Sequence, residues 1–184
     1  MNSRQPSAAE LIGKLGLQPH PEGGWYREIY RSPTRVETAR GSRSALTTIY
    51  YLLEQNQLSR WHVVQADELW HFYGGAPLEL LEYDPVARRL GRHVLGPVVG
   101  HVVGDGASDV VGGASAVGRG VSDAAPVAVI PTGVWQAARS LGTCSLVGCT
   151  VGPGFELADF QFVSDLASHA DHFGGELAPL AGLL

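Results

Sequence analysis

Two stretches of this 184-residue chain gather side chains that can do chemistry. The first is Arg60-Trp-His-Val-Val-Gln-Ala-Asp-Glu-Leu-Trp-His-Phe-Tyr-Gly-Gly75, and the second is Val129-Ile-Pro-Thr-Gly-Val-Trp-Gln136. His62, Asp67, Glu68, His71 and Gln136 stand among large apolar and β-branched residues, the composition of a small-molecule pocket with few placed polar groups. His62 and Glu68 on neighbouring strands can point into one interior. Three readings of that pair stand on the residues alone. It is a general acid–base couple in which the carboxylate raises imidazole basicity, two ligands of a divalent metal, or a core histidine bonded to a structural glutamate.

The neighbouring polar residues divide into roles. Strand alternation puts His62 on one face with Arg60 and Val64, and Glu68 with Trp70 and Phe72. Asp67 is expected to face outward at a turn, and His71 outward as well. Gln136 follows the rigid turn Pro131-Thr-Gly133. A buried glutamine must satisfy an amide oxygen and an NH2 group, so it is read as a ligand-binding group, a weak metal ligand, or a core side chain bonded to backbone. Tyr51, Arg60 and Trp70 are expected to contact substrate. Glu22, Trp25, Phe155 and Asp159 lie in turn-rich aromatic segments. They either line a pocket mouth or seal the ends of the domain. Gly148-Cys-Thr-Val-Gly152 only loosely echoes a nucleophile elbow, because Thr150 is central and no strand-to-helix context follows.

The elements that must position these groups are mainly β. Ser7-Ala-Ala-Glu10 is a capping box opening a short helix that stops at Gly16. Strand-like runs follow at Trp25–Arg31, Ala45–Leu53, Arg60–Val64, Glu68–Tyr73, Leu78–Tyr83 and Leu90–Leu95. Further runs lie at Val98–Val103, Val127–Ile130, Val134–Arg139, Cys144–Val151 and Leu157–Val163. Most are separated by Gly, Pro or Asp. Short strands with no helices between them predict a sandwich or barrel. Residues 104–123 are rich in Gly, Ser and Ala and read as a flexible loop, a surface loop or lid. Ser164 is placed to cap a final helix.

Composition bounds the function. Hydrophobic residues make up 45% and charged residues 17%, as in a globular chain, and the length fits a single domain over residues 1–184. The net charge of -5 leaves no basic footprint, so nucleic acid is not an expected partner. Lys14 is the single lysine, which disfavours Schiff-base chemistry. Cys144 and Cys149 are an odd number of residues apart in one apolar run, so alternation puts them on opposite faces, as small core hydrophobes. No signal peptide or bilayer-spanning stretch is read, and the expectation is a cytoplasmic protein without membrane partners.

Taken together, the chain resembles one branch of the cupin superfamily, cupin family five, over about Leu11 to Val163. The likeness rests on Pro21-Glu-Gly-Gly24, Leu46-Thr-Thr-Ile-Tyr-Tyr-Leu-Leu53, His62 with Asp67-Glu-Leu-Trp-His-Phe-Tyr, Pro131-Thr-Gly-Val-Trp-Gln-Ala137 and Val147-Gly-Cys-Thr-Val151. It implies a double-stranded β-helix, a jelly-roll barrel with an interior pocket, usually a homodimer. Related cupins include metal-dependent dioxygenases, isomerases and lyases, and metal-free sugar epimerases. The usual motifs, His-x-His followed by Glu and Pro-x-Gly-x-x-His, imply four ligands. Here Val64 replaces the second His and Gln136 the last, so His62, Glu68 and Gln136 are all that is left of a metal face. No cofactor is therefore expected, with a divalent transition metal on His62, Glu68 and Gln136 as the alternative. The expectation is a small-molecule enzyme with His62 as general acid or base oriented by Glu68, an isomerase, epimerase or dehydratase. The alternatives are a non-catalytic metabolite-binding barrel and a metal-dependent lyase or dioxygenase.

Overall fold

The computed structural model describes residues 5–98 and 124–165. Residues 99–103 of the strand expected over Val98–Val103, the 104–123 loop and the final helix beyond residue 165 lie outside them, and Val98 itself is in no strand.

Helix α1 (Ala8–Leu15) starts on Ser7, whose side chain accepts from the Glu10 amide while Glu10 reaches back to Ser7. Gly16, at φ 62°, closes it in the left-handed region that glycine adopts without Cβ strain. The strands are β1 (Gln18–Pro19), β2 (Trp25–Arg31), β3 (Arg35–Thr38), β4 (Gly41–Ser44), β5 (Thr47–Glu54), β6 (Leu58–Val64) and β7 (Asp67–Gly75). They continue as β8 (Leu78–Asp84), β9 (Arg89–Leu95), β10 (Val127–Ile130), β11 (Trp135–Ser140), β12 (Cys144–Gly152) and β13 (Phe160–Phe162). One sheet runs β1-β2-β5-β12-β7-β10 and the other β13-β6-β11-β8-β9, with β3-β4 as a separate hairpin. All these strand pairs are antiparallel.

The two sheets bury one core between them. Leu53, Trp70, Ile130 and Val147 from the six-stranded sheet meet Leu78, Leu80, Leu95 and Ala138 from the five-stranded one. A second cluster of Trp61, Val63, Trp135, Ala137, Leu81 and Val163 packs against the other face of the five-stranded sheet. Alternation therefore sends Trp135 and Ala137 to one side of β11 and Gln136 and Ala138 to the other.

Two expectations are corrected, and one further element, a hairpin, stands outside them. The run Leu157–Val163 is a strand only over Phe160–Phe162, flanked by 3-10 turns at Leu157–Asp159 and Val163–Asp165. The hairpin β3–β4 lacks apolar alternation and is held by polar contacts instead, among them Arg35 to Ser44 Oγ (3.3 Å) and Thr38 Oγ1 to the Gly41 carbonyl (2.7 Å). The second correction is a bulge in β6. Gln136 pairs with His62 but Ala138 pairs with Ser59, so β6 carries one extra residue in that interval. The extra residue reverses the alternation, and Ser59 rather than Arg60 shares the face of His62.

Candidate functional site

Three strands converge on a buried trio. β6 supplies His62, β11 supplies Gln136 directly across from it, and β7 of the opposite sheet supplies Glu68. Exposures are 1%, 1% and 7%, respectively. The geometry sets each donor and acceptor. The Trp70 indole, which can only donate, gives its Nε1–H to Gln136 Oε1 at 3.0 Å. The amide NH2 of Gln136 must then face the other way. It reaches Glu68 Oε2 at 2.5 Å and His62 Nε2 at 3.1 Å. His62 Nε2 is therefore an acceptor, and Nδ1 carries the ring proton toward the Arg60 carbonyl at 2.7 Å. His62 is a neutral imidazole in one tautomer. Burial pushes its pKa down, against a smaller upward pull from the Glu68 charge.

The turn His20-Pro-Glu-Gly-Gly24 closes over this trio from the β1–β2 connection. Gly23 (φ 113°) and Gly24 (φ 71°) let the chain reverse. A Cβ on Gly24 would come within 2.6 Å of the Leu52 carbonyl oxygen. The turn presents Glu22, whose Oε2 accepts from Ser59 Oγ at 2.5 Å and lies 3.3 Å from His62 Nδ1. The Glu22 amide donates to His20 Nδ1 at 3.2 Å, so His20 carries its proton on Nε2.

A cavity of about 380 Å3 opens above Glu68. Tyr26, Ile49, Val64, Val151, Phe155 and Phe160 form most of its apolar wall, and His20, Glu22, Glu28, Arg31 and Cys149 bring polar groups to it. Arg31 is already engaged, by Glu28 at 2.8 Å and Glu156 at 3.1 Å. Burial pushes the carboxyls of Glu22 and Glu68 above the usual range. The same cause pushes the Cys149 thiol well up and His20 down. Cys149 also hydrogen-bonds Glu68.

The expected site residues thus separate. Glu68, Glu22 and Phe155 line the cavity. His62 and Gln136 sit in its supporting layer, and the imidazole is stacked at 5.2 Å on Phe160, itself a wall. Trp70 also supports from behind. Tyr51, at 2% exposure, donates its hydroxyl to the Gly23 carbonyl at 2.8 Å and so holds the turn. Arg60 turns away, donating to the Pro21 carbonyl at 2.8 Å and stacking over Phe162. Trp25 ties β2 to β5 through Glu54 at 2.9 Å. Asp159 is clasped by Arg43 (2.7 and 3.0 Å) and Arg40 (3.0 Å) beside a separate cavity. Asp67 faces solvent and accepts from the Thr132 amide at 2.9 Å, as expected of a turn cap. His20, Tyr26 and Cys149 are cavity residues that sequence reasoning passed over. The parity of β12 alone would have placed Cys149 on the face of Val147 and Val151, all three of which are buried.

Two antiparallel sheets packed around an apolar core, with a small polar group of His62, Glu68 and Gln136 set into it, make this a cupin-type β-barrel. The chain belongs to the family described as "Cupin superfamily (DUF985)", whose model matches residues 9–163. It is similar to a hypothetical protein from Leishmania major, with 27% identity, 97% of each chain covered and a TM-score of 0.71. A protein from Shewanella oneidensis is similar at 29% identity, with 92% of this chain and 94% of that one covered and a TM-score of 0.70. The fold alone is shared with oxalate decarboxylase from Bacillus subtilis, at 15% identity and a TM-score of 0.54 over 90% of this chain and 37% of that one. A search of curated proteins finds no match.

Cupin barrels often hold a transition metal, and the donor set here does not fit one. A metal needs lone pairs converging on a point. The His62 Nε2 and Glu68 Oε2 lone pairs each receive an amide hydrogen from Gln136, and the Gln136 oxygen is turned to Trp70. Among the described residues no group of three His, Cys, Asp or Glu side chains is placed to hold a metal. No described helix is long and apolar enough to cross a membrane.

Proposed function

We propose that the cavity is a small-molecule active site for proton transfer beside a carbonyl, with Glu68 as the group that takes and returns the proton. The supporting observation is the state of Glu68. It is the cavity-lining carboxyl whose one oxygen is held by Gln136 at 2.5 Å while burial raises its pKa. A carboxyl raised toward neutrality is matched to general acid–base work. His62 has both ring nitrogens engaged, so its role moves from proton carrier to support of Glu68 through Gln136.

In this reading the Glu68 carboxylate removes a proton from the carbon next to a substrate carbonyl. The C–H electron pair becomes a carbon–carbon double bond and the carbonyl π pair moves onto oxygen, so an enolate forms while Glu68 holds the proton. Return of a proton to carbon from the other face gives epimerisation, and return at a neighbouring carbon gives isomerisation. Departure of a β-hydroxyl as water gives dehydration. His20, which carries its proton on Nε2, is the second proton-handling group on the cavity wall. The volume lies in the range of small-molecule sites.

The test is proton exchange. A panel of ketoses and hydroxyketones is incubated with the protein in D2O and the α-proton signal followed by NMR. Exchange by the wild type that is lost in Glu68→Gln supports the reading. Exchange unchanged by Glu68→Gln overturns it. A compound that co-purifies, stays bound and never exchanges would instead make the barrel a metabolite-binding protein.

A further inference from the structure

We propose that the Gln136 carboxamide is a built-in substitute for a barrel metal. It is a positioning residue whose two N–H groups hold His62 and Glu68 and block the ligand face. The argument starts from Trp70. Its indole fixes Gln136 Oε1 in a place where Trp70 and Gln136 are each 1% exposed, so water is not at hand to replace a lost bond. Flipping the amide would set N–H against N–H at Trp70 and oxygen against the acceptors of His62 and Glu68. Three bonds would be lost at once, and a buried polar atom left unpaired is costly.

His62 is arranged as metal-bound histidines usually are. Its Nδ1–H is given to a backbone carbonyl, that of Arg60 at 2.7 Å, and its Nε2 lone pair points inward. At that lone pair stands an amide hydrogen of Gln136, with Glu68 taking the other. Gln136 lies across from His62 in the strand register. An imidazole at this position would bring a third lone pair to the face on which the amide now places hydrogens. The proposal therefore goes beyond the proton-transfer reading and does not depend on it, since the readouts below are taken on ligand-free protein.

Cobalt(II) is the probe, followed by visible absorption on the full chain. Gln136→His is expected to take up one Co(II) per chain. It should bind at least about 100-fold tighter than the wild type, the scale that even outer partners of a metal ligand command. Adding His62→Ala should abolish that uptake. The proposal is overturned if the wild type binds Co(II) as tightly as the variant and loses it on His62→Ala. It is also overturned if the variant folds, by circular dichroism, and binds no better than wild type. Gln136→Glu, close in size, serves in the same way should the histidine variant not fold. Nitrogen-15 NMR of the wild-type imidazoles reads the same arrangement without a variant. Protonated Nδ1 and bare Nε2 on His62 are expected, and a protonated Nε2 overturns the proposal.

Discussion

The indole nitrogen of Trp70 and the side-chain oxygen of Gln136 are joined by one hydrogen bond of 3.0 Å, and that bond decides which way round the amide sits. Replacing Trp70 by Phe keeps an aromatic ring in the core but leaves a buried carbonyl oxygen unpaired. The expected cost is about 1–3 kcal/mol for that oxygen, with a further loss from the smaller ring. Urea denaturation measures it. If the His62 tautomer persists in this variant, the indole is not what orients the amide.

Glu68 carries a pH signature. Burial raises its pKa in the folded state, so the folded protein holds a proton that the unfolded chain releases. Stability is then full below the ordinary glutamate value and falls as pH rises through the raised one. Glu68→Gln removes this contribution. The difference in unfolding free energy between variant and wild type should shift in favour of the variant as pH rises above the ordinary glutamate range. Equal pH profiles would mean that Glu68 is not a raised acid. Glu22, raised by the same cause, tilts the remaining slope the same way.

Asp159 has the opposite sign. Its bond from Arg43, the larger cause, and the charge of Arg40 hold its carboxyl below the usual range. Its stabilisation is present above the unfolded value and is lost as pH falls through the lower folded one. Asp159→Asn should lower Tm at neutral pH, with the gap from wild type closing as the solution is acidified past the ordinary aspartate range. Scanning calorimetry across acid pH reads this directly. A gap independent of pH would show that packing, and not charge, is what the substitution removes.

Cys149 offers a chemical test of the cavity. It is 2% exposed and its thiol is pushed well up by burial, so little thiolate forms at neutral pH. Alkylation by iodoacetamide should run far slower than for free cysteine at the same pH, because the thiolate is the reactive form. Labelling of the folded protein as fast as free cysteine would mean that the thiol is not held protonated. Cys144 is also buried, and the two cysteines stay unpaired.

The turn before β2 is the most sensitive piece of backbone near the site. A Cβ on Gly23 would fall on the Leu58 carbonyl, at a φ that side chains avoid. Gly23→Ala is expected to displace the turn, releasing Glu22 from Ser59 and the Tyr51 hydroxyl from its carbonyl. Proteolysis after residue 24 should speed up relative to wild type, and unchanged resistance would count against the turn as the clamp.

How far the residues alone reached can be followed strand by strand. The alternating runs at Trp25–Arg31 and Val127–Ile130 match β2 and β10 to the residue, and the capping box at Ser7 marks the start of α1. Side-chain period and cap chemistry are local properties, so they survive into the fold unaltered. The hairpin β3–β4 was not legible because Arg-Val-Glu-Thr and Gly-Ser-Arg-Ser give no apolar period to read. Arg60 was assigned to the interior by parity, and one extra residue in β6 moved it out.

Of the candidate site, the residue types and their gathering in one interior were legible. A sandwich or barrel, and an inward His62 with Glu68, follow from apolar alternation and turn spacing, because those impose which face each side chain takes. The place of Gln136 beside them is implied by the resemblance to the cupin motifs. The tertiary structure alone decided which way the Gln136 amide faces, which nitrogen of His62 is protonated, and that Glu68 rather than His62 meets the cavity. Those outcomes depend on Trp70 and Phe160, which are distant in sequence from the atoms they control. They also depend on burial, which shifts His20, Glu22, His62, Glu68 and Cys149 and has no local signature in the chain.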